Sequence, residues 1–332
     1  MKIRSETNEA AMTEASMSLP RLRVGTLADQ SMLTGPLERR RVLLQRASQS
    51  GLDHVFVADH ISFFTGFGMD GLMQAATIAA LESNLKVHIG VYLLALRHPL
   101  PIARQLASLS ESAPGRIVLG IGVGGEDRHE IEICGVDPAT RGRRTNETLI
   151  ALHGLLGGTS TSHACEFFEF EDALIRPAPD PPIPMVIGGR SDAAIQRAAR
   201  LGDGWLGVWC SPKRFGEVVE EIEVLAEERS LPRPDVWDHG LQIWIGLDGD
   251  PDRARQRLAK AMEGMYQIPY ERFERYSPYG RPKEIAQRLA PYIEAGCRHL
   301  NVMPIASSPE AAIDGVAEIR ERLMANFSIP ND

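Results

Sequence analysis

Asp59 ends the run HVFVAD, which begins at His54 and is otherwise mainly apolar, and His60 follows it directly. An imidazole changes its charge near neutral pH, and an adjacent carboxylate can orient it or hold it charged, as a general acid or base requires. The pair therefore predicts proton transfer at the end of a strand, with a surface histidine of no special role as the alternative. Phe63 and Phe64 follow and offer either an aromatic wall for a flat ring or ordinary core packing.

A second group of residues suits an anion. Gly188 and Gly189 end the apolar run MVIGG, and Arg190 and Ser191 open a helical pattern. The N-terminus of a helix exposes unpaired N–H groups and the positive end of its dipole, and arginine adds a planar cation that matches phosphate. This segment predicts the binding of a phosphate-bearing cofactor. A tight turn followed by a simple Ser191 or Asp192 helix cap is the alternative.

The segment LGIGVGG, residues 119–125, contains the spacing G-x-G-x-x-G. That spacing indicates a dinucleotide site when it forms the first turn between a strand and a helix. Here Gly120 and Gly122 lie inside an apolar run, which favours a strand whose end is approached closely by a flat ligand or by neighbouring strands. Gly122 and Gly124 are then expected at a ligand site, with Glu126 either near the substrate or in solvent.

These residues need structural elements that bring them together. From Leu22 onward, apolar runs alternate with amphipathic stretches that end at glycines such as Gly51 and Gly202. Eight runs are typical of parallel strands covered by helices; they are LRVGTLA, HVFVAD, KVHIGVYLL, IVLGIGVG, MVIGG, WLGVW, LQIWIGL and HLNVMPI. Eight strand–helix units predict an α/β fold, a single (β/α)8 TIM barrel, whose active site lies at the C-terminal ends of the strands.

The barrel is expected to occupy residues 21–328, after a flexible N-terminal arm at residues 1–20. Either the first methionine or Met17 is the true start of the chain. Two insertions interrupt the pattern, one after helix 4 at residues 159–184 and one before the last helix at residues 264–280. We expect them to shape the mouth of a substrate site, with a solvated loop or a subunit contact as the alternative.

Composition narrows the classes of function. The 332 residues carry a net charge of −8 and no long basic run, so nucleic acid is not an expected partner. No apolar run predicts a membrane span or a secretory signal, and no membrane partner is expected. The four cysteines are scattered and the nine histidines lack the spacing of metal ligands. This pattern predicts no disulfides and no metal site, and it favours a cytoplasmic location.

Five segments resemble, in order, those of the bacterial luciferase-like superfamily: GLDHVFVADH, RHPLPIARQLASLSESAPGRIVLGIGVGG, GVDPATRGRR, PMVIGGRSDAAIQRAARLGDGW and YGRPKEIAQRLAPYIEAG. Within that superfamily they are most similar to oxidoreductases that depend on the deazaflavin coenzyme F420 (an 8-hydroxy-5-deazaflavin). The resemblance runs from about Leu22 to Met324. It implies a (β/α)8 barrel, often a homodimer, with a flavin or deazaflavin bound at the C-terminal ends of the strands.

The resemblance also implies roles for single residues. Asp59 and His60 match the family's Asp-His pair, in which the histidine lies beside the deazaflavin and gives or takes a proton. The family has a non-prolyl cis peptide that forms a bulge behind the cofactor ring, and by position this is the Tyr92–Leu93 bond. Tyr92 and Leu93 are thus expected to bind the cofactor.

Further matches concern the cofactor phosphate and the substrate. Gly188, Gly189 and Arg190 match the family's phosphate-binding turn. Phe64 stands where some members have a tryptophan beside the substrate, which is a departure in the substrate wall. Glu126 matches a family position only approximately, because the glycine run before it is one residue longer than in some members.

The predicted function is hydride transfer between F420 and a small-molecule substrate, with His60, oriented by Asp59, as proton donor or acceptor. The runner-up is an FMN-dependent monooxygenase that uses reduced flavin and oxygen. A flavin or F420 reductase is then an expected partner. A non-catalytic flavin-binding barrel is the alternative from another class. The substrate and the direction of hydride transfer stay open at this point.

Overall fold

The computed structural model describes residues 21–66, 68–125, 127–231 and 234–327. Its strands are β1 Arg23–Leu27, β2 His54–Val57, β3 Lys86–Leu93, β4 Ile117–Gly122, β5 Thr161–Ala164, β6 Glu169–Ala173, β7 Met185–Gly188, β8 Gly204–Val208, β9 Gly240–Leu247, β10 Tyr279–Gly280 and β11 His299–Ile305. Its helices are α1 Gln30–Leu33, α2 Leu37–Gln49, α3 Gly71–Leu81, α4 Pro99–Ser112, α5 Arg128–Ile133, α6 Arg141–Leu155, α7 Asp192–Leu201, α8 Pro212–Glu228, α9 Pro251–Tyr266, α10 Pro282–Glu294 and α11 Pro309–Phe327. The predicted arm at residues 1–20 and the candidate Glu126 lie outside the described residues.

Eight parallel strands close into one barrel. Their order around the ring is β1–β2–β3–β4–β7–β8–β9–β11, and β11 pairs with β1. At the closing edge Arg23 lies opposite His299. These strands are the eight apolar runs of the sequence, so the prediction of a (β/α)8 TIM barrel is confirmed. Among the described helices, none combines the length and the apolar character that crossing a membrane requires.

Helix boundaries follow the local chemistry of the sequence. The Asp70 carboxylate accepts the N–H of Met73 at the start of α3, and the Ser191 hydroxyl accepts the N–H of Ala194 at the start of α7. Both bonds satisfy N–H groups that the first helical turn leaves unpaired. The apolar stripe of α7 packs on the barrel, and the helix ends before Gly202.

The two predicted insertions have different structures. Strands β5 and β6 form an antiparallel hairpin between α6 and β7. The second insertion contains the 3-10 turns Tyr270–Arg272 and Glu274–Tyr276, and it ends in β10, which pairs with β9. It precedes α10, not the last helix, because α11 still follows β11 and buries Ile313, Val316 and Ile319. The residues of the insertion are those expected, but the helix that follows it is not the last one.

Buried histidines line the N-terminal half of the barrel interior. The rings of His54 and His88 stack with their centroids 3.8 Å apart, and His299 meets His88 edge-on at 5.3 Å. Nε2 of His54 lies 2.8 Å from Oδ1 of Asn301. Burial lowers the pKa of His54 to about 3, and it lowers the pKa of His88 well below its usual value. Both rings are therefore neutral at pH 7.

Candidate active site

A cavity of about 310 Å³ opens at the C-terminal ends of the barrel strands. Its walls are mainly apolar, and they come from the loops after β1 and β2, the end of β3, and strands β9 and β11. The lining includes the side chains of Phe56, His60, Phe63, Val91, Leu93, Gln242, Trp244, Tyr266 and Met303. A cavity of this kind buries most of a ligand's surface and offers few polar groups to orient it.

Two further cavities adjoin this one. A cavity of about 170 Å³ shares Val91, Leu93, Gln242 and Tyr266 with the first. An outer cavity of about 560 Å³ shares Trp209 and Tyr266 with the second cavity and carries three arginines, Arg190, Arg272 and Arg275. The barrel mouth therefore grades from an apolar interior to a cationic rim, which suits a ligand with a flat ring at one end and an anion at the other.

Asp59 is a structural anchor in the wall of the first cavity. Its buried carboxylate accepts the backbone N–H groups of Gly71 at 2.9 Å and Leu93 at 3.0 Å. Two nitrogens of Arg97 donate to it at 2.7 and 2.8 Å. Burial raises the pKa of Asp59, an effect that Arg97 and the two amides oppose. These bonds fix the end of β3 and the start of α3 relative to β2.

The carboxylate that contacts the His60 ring is Glu130, and the expectation that Asp59 orients the imidazole is wrong. Nδ1 of His60 lies 3.1 Å from Oε2 of Glu130. Oε1 of the same carboxylate accepts the N–H groups of Ile61 at 2.5 Å and Ser62 at 2.9 Å. The physical reason is that the Asp59 carboxylate already accepts hydrogen bonds from Arg97 and from the backbone N–H groups of Gly71 and Leu93. Glu130 lies in α5, is almost completely buried, and fixes both the ring and the loop that follows it.

His60 is placed for proton exchange with a ligand. Its ring lines the first cavity, and Phe63 packs against the ring with 4.2 Å between centroids. With Nδ1 directed at a carboxylate, Nε2 is the nitrogen that can give or take a proton. Phe63 lines the same cavity, whereas Phe64 is 45% exposed and lines the outer cavity. The two aromatic residues therefore belong to different parts of the mouth.

The bulge predicted in β3 exists, but it lies two residues earlier than expected. The Gly90–Val91 peptide is cis, and the register between β3 and β4 shifts between Ile89 and Tyr92. Val91 and Leu93 line both inner cavities, whereas Tyr92 is completely buried beneath α3, where Arg97 lies 4.1 Å from the centre of its ring. The strand alternation explains this correction, because Tyr92 points out of the barrel when its neighbours point inward.

The glycines of the G-x-G spacing make room for this bulge. A Cβ added at Gly120 would lie 2.3 Å from the carbonyl oxygen of Ile89, and one added at Gly122 would lie 2.3 Å from Cγ2 of Val91. A Cβ at Gly188, on the other side of β4, would lie 2.9 Å from Cγ1 of Val91. Of the two alternatives that the sequence left open, the close approach of a neighbouring strand therefore applies at Gly120 and Gly122.

The residues of the predicted phosphate turn divide between the cavities. Gly188 and Gly189 line the second cavity together with Gly122 and Gly124. Arg190 lines the outer one, and its guanidinium lies 5.3 Å from the centre of the Trp209 ring. The Ser191 hydroxyl caps α7. The cation of this segment thus faces the mouth.

Two buried polar atoms in the cavity walls have no hydrogen-bond partner among the described residues. They are Oε1 of Gln242, which lines both inner cavities, and Nε1 of Trp209, which lines the second and outer ones. Such atoms are costly unless something else pairs with them. Trp209 also has a left-handed backbone, with φ of 47°. Strained residues of this kind cluster at ligand sites.

Neither residue is among those predicted from the sequence, although one signal was present. Trp209 follows directly after β8, so the rule that finds Asp59 after β2 also applies to it. Gln242 lies inside β9 and carries no such signal. Arg272 and Arg275 come from the 3-10 turns of the second insertion. The sequence of that insertion predicts an irregular segment, and it does not show which of its side chains face the barrel mouth.

A family model described as luciferase-like monooxygenase matches residues 12–324. The chain belongs to the luciferase-like monooxygenase family. An F420-dependent glucose-6-phosphate dehydrogenase of Beutenbergia cavernae is 29% identical over 318 residues, which cover 84% of this chain and 91% of that protein.

Solved structures of the same fold carry different cofactors. An F420-dependent secondary alcohol dehydrogenase in complex with an F420–acetone adduct matches with a TM-score of 0.78 at 19% identity, covering 90% of this chain and 98% of that one. The oxygenating constituent of the 3,6-diketocamphane monooxygenase of Pseudomonas putida, in complex with FMN, matches with a TM-score of 0.73 at 16% identity. That match covers 93% of this chain and all of the other. At these identities the likeness establishes the fold of the luciferase-like barrel.

Proposed function

We propose that this chain is an oxidoreductase that transfers a hydride between coenzyme F420 and a small organic substrate. The observation that carries the proposal is the His60–Glu130 pair, which is held at an apolar cavity in the barrel mouth. An F420-dependent dehydrogenase as a relative over most of the chain supports the choice of cofactor. Hydride transfer to or from oxygen-bearing carbon moves a proton as well, and His60 is the residue that suits that role.

The residues of the mouth fit a deazaflavin or flavin. Oε1 of Gln242 is a buried acceptor without a donor among the described residues, and it suits the N–H of the pyrimidine part of either ring system. Nε1 of Trp209 is a buried donor without an acceptor among the described residues, and it suits an oxygen of the cofactor side chain. Arg190 lies beyond it at the outer cavity and suits a phosphate.

The residues that line the cavities then have separate roles toward the cofactor and the transferred proton. Val91, on the bulge, and Leu93 would support the ring, with the glycines of β4 and β7 leaving space beside it. When bound, the cofactor supplies or accepts the hydride. His60 gives or takes the accompanying proton at Nε2, and Glu130 holds the ring through Nδ1. The apolar walls keep water from the reacting atoms.

An FMN-dependent monooxygenase is the second candidate. The observation in its favour is the FMN complex of a monooxygenase with the same fold. FMN also combines a flat ring with a phosphate, so the same cavities can take it. Under this alternative His60 would handle a proton in oxygen chemistry, and a separate reductase would have to supply reduced flavin.

The proposal is tested by turnover with F420. Oxidised F420 is mixed with the protein and either glucose 6-phosphate or a secondary alcohol, and its absorbance is followed. Reduced F420 is mixed with the corresponding ketone. We expect turnover with at least one probe, and His60→Gln to lower it by about 100-fold or more while F420 still binds. His129→Gln, an exposed histidine on α5, is the matched control. Full activity of His60→Gln would overturn the assigned role.

A further inference from the structure

A second cluster of chemically active side chains lies outside the barrel mouth. It contains Glu147 of α6, His163 of β5, and Cys165 in the turn of the β5–β6 hairpin. One ligand atom from each residue, a carboxylate oxygen, an imidazole nitrogen and Sγ, lies within 4.8 Å of the other two. We propose that this cluster is a binding site for a divalent transition-metal ion of the Zn²⁺ type, which ties the hairpin to α6.

An unpaired buried atom points to a ligand. Nε2 of His163 is inaccessible to solvent and has no hydrogen bond among the described residues. The nearest carboxylate oxygen, Oε2 of Glu147, is 3.4 Å away, at ion-pair distance but without hydrogen-bond geometry. A buried imidazole nitrogen left in this state loses free energy that a metal bond would restore. The imidazole side chain is only 13% exposed, so water cannot replace that bond freely.

The donor set suits Zn²⁺ in charge and in softness. One thiolate and one carboxylate balance the two charges of the ion, and a neutral imidazole completes three ligands. A tetrahedral zinc site with three protein ligands keeps its fourth position for water. The hard ions Mg²⁺ and Ca²⁺ prefer oxygen ligands only, so the sulfur and nitrogen donors disfavour them.

The hairpin turn is built in a way that presents the sulfur. The N–H of Cys165 donates to the carbonyl of Phe168 at 2.9 Å and closes the turn. The N–H of Phe167 donates to Sγ of Cys165 at 3.4 Å, which fixes the sulfur relative to the turn. The guanidinium of Arg144, on the same helix as Glu147, covers the Phe168 ring at 4.6 Å. The turn thus places the sulfur within 4.8 Å of the Glu147 carboxylate on α6.

This site cannot be predicted from the sequence, because the spacing of Glu147, His163 and Cys165 does not match a known metal-ligand motif. They come together in the folded chain because strand β5 lies against helix α6. The site is separate from the cavities of the mouth, so its occupancy and F420 binding can be measured independently.

The test is stoichiometric metal binding by the full-length protein. Chelator-treated protein is titrated with Zn²⁺ and, in parallel, with Co²⁺, whose bond to a thiolate gives a charge-transfer absorption band. We expect one equivalent of either metal, the thiolate band with Co²⁺, and a higher thermal midpoint with Zn²⁺. Affinity should fall by at least about tenfold in Cys165→Ser and in His163→Gln. Cys134→Ser and Glu166→Gln are matched controls that should bind metal as the wild type does.

Two results would overturn the site. One is wild-type protein without a thiolate band at saturating Co²⁺, a measurement that needs no variant. The other is metal binding that Cys165→Ser and His163→Gln leave unchanged while both variants keep native circular dichroism. F420 titration of the metal-loaded and the metal-free protein should give the same affinity, so failure of the metal site would not be confused with failure of the proposed redox function.

Discussion

Nδ1 of His60 lies 3.1 Å from Oε2 of Glu130, although 70 positions separate the two residues in the chain. The other oxygen of Glu130 holds the backbone N–H groups of Ile61 and Ser62. One buried carboxylate therefore fixes the imidazole and the loop that carries it, while Asp59 fixes the scaffold on the opposite side. The two acids have different tasks, and their substitutions should have different effects.

Glu130→Gln should lower kcat by about tenfold to 100-fold, because the amide can still accept the loop N–H groups but no longer supports charge on the imidazole. Cofactor affinity and KM should change by no more than about twofold, since Glu130 is not expected to touch either ligand. Steady-state kinetics and a cofactor titration measure the two effects separately. Glu132→Gln, an acid on the same helix that pairs with Arg128, is the control. Equal losses in kcat and cofactor affinity would contradict the assigned positioning role.

Gly122→Ala should destabilise the protein by about 1–3 kcal/mol and weaken cofactor binding, because the new Cβ would lie 2.3 Å from Cγ2 of Val91. Gly125→Ala is the matched control, since a Cβ there meets no heavy atom within 4 Å. Urea unfolding measures the stability. Adding Val91→Ala to Gly122→Ala should recover part of the loss, because it removes the methyl groups that clash. Identical unfolding curves for the two glycine variants would refute this account of the G-x-G spacing.

The stability of the barrel should fall as the pH drops below about 6.5, the usual histidine pKa. In the folded state the pKa of His54 is lowered to about 3 by burial, and that of His88 is also lowered. Below about pH 6.5 these two imidazoles therefore take up protons in the unfolded chain but stay neutral in the folded chain, so acid favours unfolding. Each of the two histidines should cost up to about 1.4 kcal/mol per pH unit.

The measurement for this prediction is the free energy of unfolding in urea at several pH values between 7 and about 5. His88→Leu should flatten the slope by about one proton relative to wild type. The exposed His153→Leu should leave the slope unchanged. A wild-type stability that does not vary over this window would show that the buried rings are not held neutral.

Trp209→Phe should weaken cofactor binding by about two- to tenfold, because it keeps the aromatic face but removes the unpaired Nε1 donor. Trp237→Phe serves as the control, since that ring stacks on His239 and lines a cavity at the N-terminal end of the barrel. Titration of each variant with F420 gives the ratio of dissociation constants. An unchanged constant for Trp209→Phe would remove the indole from the cofactor contacts.

Most of the fold was predictable from the sequence, and the candidate site was predictable in part. All eight barrel strands appear as apolar runs, because most side chains of a strand buried on both faces are apolar. The strand-end rule places Asp59 and His60 at the mouth, where the structure has them. The rule does not reach Glu130, which contacts His60 from within helix α5 and does not follow a strand directly.

The remaining differences come from geometry that only packing decides. The cis peptide lies at Gly90–Val91 because the bulge must fit beside Gly122 and Gly188 on the neighbouring strands, a relation between residues far apart in the chain. The unpaired Oε1 of Gln242 cannot be predicted from the pattern of residues in β9, because the sequence of a strand does not show which hydrogen-bond partners a buried amide lacks.

The most direct test of the central proposal is a fluorescence titration of the purified, cofactor-free protein with F420 and, separately, with FMN. Saturable one-to-one binding of F420, with an affinity at least about tenfold higher than that of FMN, is the predicted result. A preference for FMN would contradict the F420 assignment and favour the monooxygenase alternative. Binding of neither would contradict both, and the cavities of the barrel mouth would then need a different ligand.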